Sequence, residues 1–456
     1  MSNIRIFIDF GSTFTKAVAF DLDGEELVAR VQVPSTVDSD ITLGLEGALE
    51  KLAQELKIGD AERRQTVACS SAAGGLRVVC LGLVTEFTTE AARLAALGAG
   101  AKIVGVYSYE LSQSEVAEIE EIAPDIILLT GGTNGGNKKV IINNAKILAK
   151  AGNRVSNIIV AGNKSAYDEI KAAFAATNKN VIYTNNVMPE IGKIDVDSSN
   201  KKIRELFINH ITQAKGITRA KTLINDVIMP TPSAVLEAAK LIADGLPDNP
   251  GLGELLLIDV GGATTDVYSI ARGNPTQDGI STIGLPEPYA KRTVEGDLGL
   301  VHNVETLAEI ANNGQFPESF AETVKAISEA GKIPTCQEEV DCHLLLSHLA
   351  VKTAVERHVG RLEVQVFSTG SMKAQRGKDL TPVRLVIGAG GPVAFSSNPQ
   401  QVLGGALFQQ EVPALLKPRA PEFMLDKNYI LFAIGLLARN EPTKALNIVK
   451  KYLVRL

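Results

Sequence analysis

The chain has 456 residues, of which 45% are hydrophobic and 21% charged, with a formal net charge of -6. This length exceeds one ordinary core and predicts two or three soluble globular domains. Without a block of lysine or arginine, the acidic balance argues against a nucleic-acid or anionic-membrane surface. Four cysteines are too few for a disulfide framework, and the first residues do not form a secretory signal. The most apolar stretch, residues 429–438, is too short to span a bilayer. A cytoplasmic protein is therefore expected.

The first predicted element group is a hairpin with a third strand. Residues 4–9, 16–21 and 27–33 are apolar strand-like runs, and an Asp-Gly turn separates the second run from the third. Helical periodicity follows over residues 41–58, with Asp40 as the N-cap.

From about residue 66 to 184 the pattern changes to alternating strands and helices. The strand-like runs are residues 65–70, 76–84, 102–107, 125–130, 157–161 and 180–184. The helix-like runs between them are residues 87–97, 112–122, 138–151 and 165–177. Short buried strands separated by helices predict right-handed crossovers and a mainly parallel sheet.

A domain boundary is predicted in the Pro- and Gly-rich stretch 245–253, which follows a largely helical pattern over residues 192–244. This gives an N-terminal lobe of residues 1–250, which contains the inserted parallel βα region, and a C-terminal lobe of residues 251–456. Residues 318–361 are predicted as helices, and two apolar helices close the chain.

Two stretches share one pattern, in which an apolar strand ends in aspartate and is followed by a turn rich in glycine, serine and threonine. The first contains Asp9, Gly11, Ser12, Thr13 and Lys16, and the second contains Asp259, Gly261, Gly262, Thr264, Thr265 and Asp266. Glycines let backbone N–H groups approach an oxyanion, and hydroxyls add donors. Mg²⁺ favours carboxylate oxygens, usually through retained waters, and lysine supplies a compact positive charge. One such turn is common in hairpins, but two together predict a magnesium-nucleotide site.

A third glycine-rich turn follows a buried strand near the end of the chain. Its glycines are Gly388, Gly390 and Gly391. They could provide a flat backbone surface for adenine or ribose. Turns of this composition also occur where the chain only needs close packing.

In this order the three segments resemble the phosphate and adenosine motifs of the two-lobed ATPases that include actin, the heat-shock chaperone ATPases and the sugar kinases. The resemblance implies an α/β fold with two lobes, each built on an RNase H-like sheet, and ATP between them. It also implies that Asp9, Asp259 and Asp266 hold the waters of Mg²⁺. Asp259 or Asp266 would orient the attacking water, while Lys16 stabilises the terminal phosphates. Each acid could instead be a turn former or a helix cap. Ala263 stands where a third glycine is common in that superfamily.

Further glycine-rich loops occupy residues 69–76 and 128–137. The ends of parallel strands bind ligands in α/β sheets, and a helix that starts at Lys138 favours an anion. A loop with special conformational demands is an equal alternative for residues 128–137. Glu295 and Asp297 could face a cleft, but a solvated loop is the preferred interpretation of this stretch.

Over nearly the whole chain, longer segments resemble the MutL family associated with glutamate mutase, also called GlmL, which is unrelated to the mismatch-repair protein of the same name. The segments are IDFGSTFTKAVAFD, CSSAAGGLR, DIILLTGGTNGGN, IDVGGATTDVYSI, RTVEGDLGL and IGAGGPVAF. This family is linked to adenosylcobalamin-dependent mutases of amino-acid fermentation. The resemblance implies an accessory ATPase that uses ATP and Mg²⁺ and acts as a reactivating chaperone. Cobalamin-dependent mutase subunits would be its partners, and a homodimer is one possible assembly.

Cobalamin itself is expected on the partner. The base-off signature Asp-x-His-x-x-Gly is matched by Asp341 and His343, but Leu346 replaces the glycine. Three other functions remain open at this point. They are a small-molecule kinase of the same fold, a scaffold whose assembly ATP controls, and an activator of radical dehydratases that holds an iron–sulfur cluster.

Overall fold

The computed structural model describes residues 3–11, 13–36, 40–56, 66–71, 76–152, 154–212, 226–301, 303–312, 323–324, 334, 336–367 and 370–456. The chain divides into two compact units. Unit 1 comprises residues 1–70, 215–283 and 289–456, and unit 2 comprises residues 71–214 and 284–288. The predicted lobes of residues 1–250 and 251–456 stay a prediction.

Within these described ranges the strands are β1 (Ile4–Phe10), β2 (Phe14–Asp21), β3 (Glu26–Pro34), β4 (Thr66–Ser70), β5 (Arg77–Gly82), β6 (Lys102–Ser108), β7 (Ile126–Leu129), β8 (Asn157–Val160), β9 (Asn180–Tyr183), β10 (Asp226–Pro230), β11 (Gly245–Leu246), β12 (Asn249–Pro250), β13 (Leu255–Val260), β14 (Thr265–Ile270), β15 (Ser281–Ile283), β16 (Ala290–Glu295), β17 (Arg361–Phe367), β18 (Gly370–Arg376), β19 (Leu385–Ala389), β20 (Glu422–Leu425) and β21 (Val454–Arg455).

The α-helices of the same ranges are α1 (Ile41–Leu56), α2 (Glu90–Gly98), α3 (Gln113–Ile122), α4 (Lys139–Lys150), α5 (Tyr167–Phe174), α6 (Asp197–Thr212), α7 (Thr231–Asp244), α8 (Val304–Asn312), α9 (Gln337–His358), α10 (Gly391–Ala394), α11 (Pro399–Leu403), α12 (Leu431–Ala438) and α13 (Pro442–Tyr452).

Unit 1 contains two mixed sheets with the same internal plan. The first has the order β10-β4-β1-β2-β3, and the second has the order β16-β14-β13-β19-β20-β21. In each, three antiparallel strands continue into two parallel ones, β4 and β10 in the first sheet and β19 and β20 in the second. This order, 3-2-1-4-5 within each sheet, is that of an RNase H-like sheet. The predicted fold class, an α/β two-lobed actin-like ATPase with RNase H-like sheets, is confirmed.

Helices α7 and α12 pack against each other in the largest apolar cluster of unit 1. Their crossing depends on small residues. A β-carbon on Gly435 would lie 1.8 Å from the carbonyl oxygen of Ala234, so only glycine permits this approach. Each helix follows the last parallel strand of the main part of its sheet, β10 for α7 and β20 for α12. The close crossing therefore fixes the strand ends that precede both helices.

Unit 2 is built on a five-stranded sheet with the order β6-β5-β7-β8-β9, in which every neighbouring pair is parallel. Helices α3, α4 and α5 lie between successive strands along the chain, and apolar residues of the strands are fully buried. The predicted parallel βα region is confirmed for these strands. The run at residues 65–70 is an exception, because β4 pairs with β1 in the first sheet of unit 1.

Other predicted elements differ from the structure in part. The sequence pattern predicts a largely helical stretch over residues 192–244, but β10 lies between α6 and α7 and extends the first sheet. The predicted connection at residues 245–253 contains the short β11–β12 pair. Much of the predicted helical stretch 318–336 lies outside the described residues, and α9 covers the part from Gln337 onward. Across the described ranges, no helix is both long and apolar enough to cross a membrane.

Candidate nucleotide site

The two aspartate turns are built on equivalent strand pairs. Across β1 and β2, Asp9 lies opposite Lys16, and across β13 and β14, Asp259 lies opposite Asp266. Paired residues of antiparallel strands project to the same face of a sheet. In each strand pair, two ionisable side chains therefore lie on the same face of the sheet, close to the turn.

Both turns close through the same backbone contact. The N–H of Gly11 donates to the carbonyl of Phe14 at 3.1 Å, and the N–H of Gly261 donates to the carbonyl of Thr264 at 2.9 Å. Ser12, predicted as a phosphate donor, lies outside the described residues.

The two turns face each other at close range. A β-carbon on Gly262 would lie 3.4 Å from the hydroxyl oxygen of Thr13 and 3.1 Å from Cγ2 of Val301. The structure thus brings together the two glycine turns that are far apart along the chain.

Asp9 is a buried carboxylate, 1% exposed, held by three side chains. The hydroxyl of Thr231 donates to its Oδ1 at 2.6 Å, and the thiol of Cys69 lies 3.8 Å from the same oxygen. The ammonium of Lys16 lies 3.8 Å from Oδ2. Burial raises the pKa of Asp9, against the opposing effects of Lys16 and Thr231. Thr231 was not predicted, although it is the first polar residue after a strand at the same sheet edge.

Lys16 is held between a carboxylate and an aromatic ring. Its side chain is 18% exposed, and its Nζ lies 3.4 Å from the ring centroid of Tyr429. Burial lowers the pKa of Lys16, while the negative charges of Asp9 and Asp259 raise it. Lys16 therefore lies within electrostatic range of both turns.

Asp259 is half-buried, and none of the described residues forms a hydrogen bond or ion pair with its carboxylate. The pKa of Asp259 is raised to about 7, chiefly by burial and then by the neighbouring charge of Asp266, with contributions from Asp426 and Asp9. The positive charge of Lys16 acts in the opposite direction. A carboxylate in this setting would be stabilised by an additional cation.

Asp266 is already paired. Nε of Arg292 donates to its Oδ1 at 2.8 Å, and a second guanidinium nitrogen lies 2.6 Å from the same oxygen. The hydroxyl of Thr264 donates to the other oxygen at 3.0 Å. Thr265 turns away, because its hydroxyl donates to the carbonyl of Leu298. Arg292 comes from β16, a strand that sequence patterns did not reveal.

A fourth acid, Asp426, joins the cluster from the end of β20. Its carboxylate accepts the N–H groups of Ile430 at 3.0 Å and Leu431 at 3.1 Å, and so caps the start of α12. Burial raises the pKa of Asp426 to about 6. In the sequence, Asp426 is an acid that follows an apolar run of only three residues, 423–425, and this pattern is too short to identify a site.

The third glycine turn lies against the second aspartate turn. Gly390 has φ +87°, and a β-carbon there would lie 2.0 Å from the carbonyl oxygen of Val260 and 2.7 Å from Oδ1 of Asp259. Gly388 is tightly packed by Val393 and Leu403, whereas a β-carbon on Gly391 would meet nothing within 4 Å. Gly390 is thus needed for close packing on Asp259, and Gly391 presents open backbone at the start of α10.

The donor set fits a magnesium nucleotide. Three glycine turns, one lysine and several carboxylates converge, which is the chemistry that a metal-chelated polyphosphate requires. No group of three His, Cys, Asp or Glu side chains in the described ranges is arranged to hold a metal directly. Contact through retained waters is the mode that Mg²⁺ commonly uses with few protein ligands.

Two other stretches from the sequence analysis are the pair Glu295 and Asp297 and the loop 69–76. Arg357 forms ion pairs with Glu295 at 2.7 Å and Asp297 at 2.8 Å. Residues 72–75 of the loop 69–76 lie outside the described residues.

The loop at residues 128–137 belongs to unit 2 and is held by its own contacts. Gly132 has φ +69°, with the carbonyl oxygen of Asn137 1.9 Å from where a β-carbon would lie. Asn163 accepts from the N–H of Gly135 and donates to the carbonyl of Gly136. The loop therefore has special conformational demands, and an anion site there stays a prediction.

Comparison with known proteins gives both a family and a curated relative. The family described as "MutL protein" matches residues 5–453. A protein named "Protein MutL" from Clostridium tetanomorphum is 42% identical over 458 residues, which cover 99% of this chain and 99% of that protein.

Solved structures give weaker likenesses. Nucleotide-free acetone carboxylase has a TM-score of 0.42 and 13% identity, covering 96% of this chain and 70% of that chain. The activator of 2-hydroxyisocaproyl-CoA dehydratase from Clostridium difficile, with bound ADPNP, has a TM-score of 0.30 and 12% identity, covering 98% and 95%. Xylulose kinase from Bifidobacterium adolescentis has the same TM-score and identity, covering 100% and 96%. These likenesses carry no argument about activity. The full-length match in sequence confirms the resemblance drawn from the motifs: the chain belongs to the MutL family.

Proposed function

We propose that this protein binds MgATP between its two aspartate turns and hydrolyses it while acting on a partner protein. The observation that carries the proposal is the Asp259 carboxylate. It has no hydrogen bond or ion pair with a described residue, and its pKa is raised to about 7 beside three other acids. Such a group is stabilised when a divalent cation arrives with a polyphosphate.

The first turn is suited to the phosphates. Lys16 brings a positive charge to a partly buried position, and backbone N–H groups of the turn can donate to phosphate oxygens. Asp9, fixed by Thr231, would hold a water of Mg²⁺ and keep Lys16 in place. Mg²⁺, when bound, would neutralise charge that develops on the phosphates.

The second turn is suited to the attacking water. With a pKa near neutral pH, Asp259 can accept a proton from a water molecule or orient it by hydrogen bonding. Asp266 is restrained by Arg292, so its part is to hold metal-bound water and to keep a negative charge beside Asp259. Gly390 packs closely on Asp259, and the adjacent Gly391 leaves open backbone where adenosine would lie.

We further propose that the partner is an adenosylcobalamin-dependent mutase such as glutamate mutase, for which this protein serves as a reactivating chaperone. Membership of the MutL family supports this proposal. Radical enzymes can lose the adenosyl group and retain an inactive cofactor. ATP-driven change in affinity between two conformations could release it.

Phosphate release from ATP by the purified chain, with and without inactivated mutase, tests the proposal. We expect turnover that rises when inactivated mutase is added and falls at least a hundredfold in Asp259→Asn. Asp23→Asn, an exposed aspartate of the β2–β3 turn, is the matched control and should retain turnover. Equal rates with and without mutase would contradict the partner assignment. A phosphorylated small molecule in place of free phosphate would identify a kinase instead.

A further inference from the structure

Tyr429 adopts a backbone conformation that is unusual for its residue type. Its φ is +53°, in the left-handed region that residues with a β-carbon seldom occupy. It lies in the short connection between β20 and α12. Strained backbone of this kind persists when surrounding contacts hold it and is concentrated at functional sites.

Contacts that could hold this conformation surround Tyr429. The backbone N–H of Tyr429 donates to the carbonyl of Asp426 at 3.4 Å, and the Asp426 carboxylate accepts the next two N–H groups. The ring packs against Phe432, with the two centroids 6.0 Å apart. The connection is thus fixed from both sides, and the direction of the Tyr429 ring is fixed with it.

The ring meets the one lysine of the two aspartate turns. Nζ of Lys16 lies 3.4 Å from the ring centroid, and it also lies 3.8 Å from Oδ2 of Asp9. An aromatic face attracts an ammonium through its quadrupole, most strongly where water is excluded. Unlike a second carboxylate, the ring adds no full negative charge. The ammonium is therefore held in place while most of its charge stays available to an anion.

We propose that Tyr429 is a positioning residue that sets the location of the Lys16 ammonium for the terminal phosphates of ATP. This inference rests on the proposed function. Lys16 belongs to the first sheet and Tyr429 follows a strand of the second, so the contact also links the two sheets at the site. The strained backbone at Tyr429 is explained by the requirement to place its ring over Lys16.

Titration calorimetry of the full chain with ATP and Mg²⁺ tests this role. Tyr429→Leu should weaken ATP affinity about tenfold because the cation–π contact is lost. Tyr429→Phe keeps the ring and should bind within about twofold of the unaltered chain. Tyr109→Leu is the matched control, since Tyr109 also has a positive φ, +69°, but belongs to unit 2. It should leave ATP affinity unchanged.

A double variant distinguishes an effect of Tyr429 through Lys16 from a nonspecific disruption of the site. In a Lys16→Met background, Tyr429→Leu should change ATP affinity by less than about twofold, because the ammonium is already absent. A further tenfold loss in that background would overturn the inference, as would equal losses in Tyr429→Phe and Tyr429→Leu. Unchanged ATP affinity in Tyr429→Leu would overturn the inference about Tyr429 but leave the proposed function intact. An unaltered chain that does not bind ATP would overturn the proposed function as well.

Discussion

Lys16 and Asp266 occupy equivalent positions in two turns of the same design, yet they carry opposite charges. Lys16 lies across the strands from Asp9, and Asp266 lies across the strands from Asp259. The first turn therefore contains an acid and a base that balance each other. The second contains two acids, of which Asp266 is balanced by Arg292. Because of this asymmetry, Asp259 is the carboxylate whose negative charge a bound cation would stabilise most.

The same substitution at the two acids of the second turn should have opposite effects on stability. Asp266→Asn breaks a buried ion pair with Arg292 and should lower the free energy of unfolding by about 3 kcal/mol at pH 8. Asp259→Asn removes a destabilising charge and should raise that free energy by about 2 kcal/mol at pH 8. Urea unfolding of both variants in EDTA measures the difference. Destabilisation by Asp259→Asn would contradict the electrostatic account of the site.

Stability should also depend on pH through Asp259. The pKa of this carboxyl is about 7 in the folded chain and near 4 when unfolded, so the folded chain holds an extra proton between these values. Its contribution is present below about pH 4 and is lost as pH rises through about 7. Asp426, with a folded pKa of about 6, acts in the same direction. In EDTA, the fall in unfolding free energy between pH 5 and pH 8 should be smaller in Asp259→Asn than in the unaltered chain. An equal fall in both would show that Asp259 does not titrate in this range.

Two adjacent glycines of the third turn should respond differently to alanine. Gly390→Ala would place a β-carbon 2.0 Å from a backbone oxygen at a positive φ, and it should destabilise unit 1 by about 2 kcal/mol or more. Gly391→Ala meets no atom within 4 Å and should unfold like the unaltered chain. Because adenosine would lie over Gly391, ATP affinity should nevertheless fall in that variant. Thermal unfolding and ATP titration of the pair separate packing from binding. Full ATP affinity in Gly391→Ala would remove this turn from the proposed site.

Sequence patterns identified the strands whose apolar runs are bounded by strong turns. β1, β2, β13 and β19 are buried on both faces, so their residues form continuous apolar runs. β17 and β18 lack this signal, because they form a partly exposed hairpin in which the exposed Val364 lies opposite Lys373.

The site residues also differ in whether the sequence alone identifies them. Asp9 and Asp259 could be found because a short glycine turn follows each of them. Other site residues are brought in from distant segments by strand order and helix packing. They are Thr231, Arg292, Asp426 and Tyr429. Their local sequences hold no turn or spacing that marks them. The pairing of Asp266 with Arg292 likewise depends on β16 lying beside β14.

Calorimetric titration of the unaltered chain with ATP, with Mg²⁺ or EDTA present, tests the central claim most directly. If the two turns hold a magnesium nucleotide, binding should saturate at one ATP per chain with Mg²⁺ and weaken at least tenfold in EDTA. Asp259→Asn should lose most of the Mg²⁺ dependence. Absence of binding at millimolar ATP, or equal affinity with and without Mg²⁺, would contradict the account.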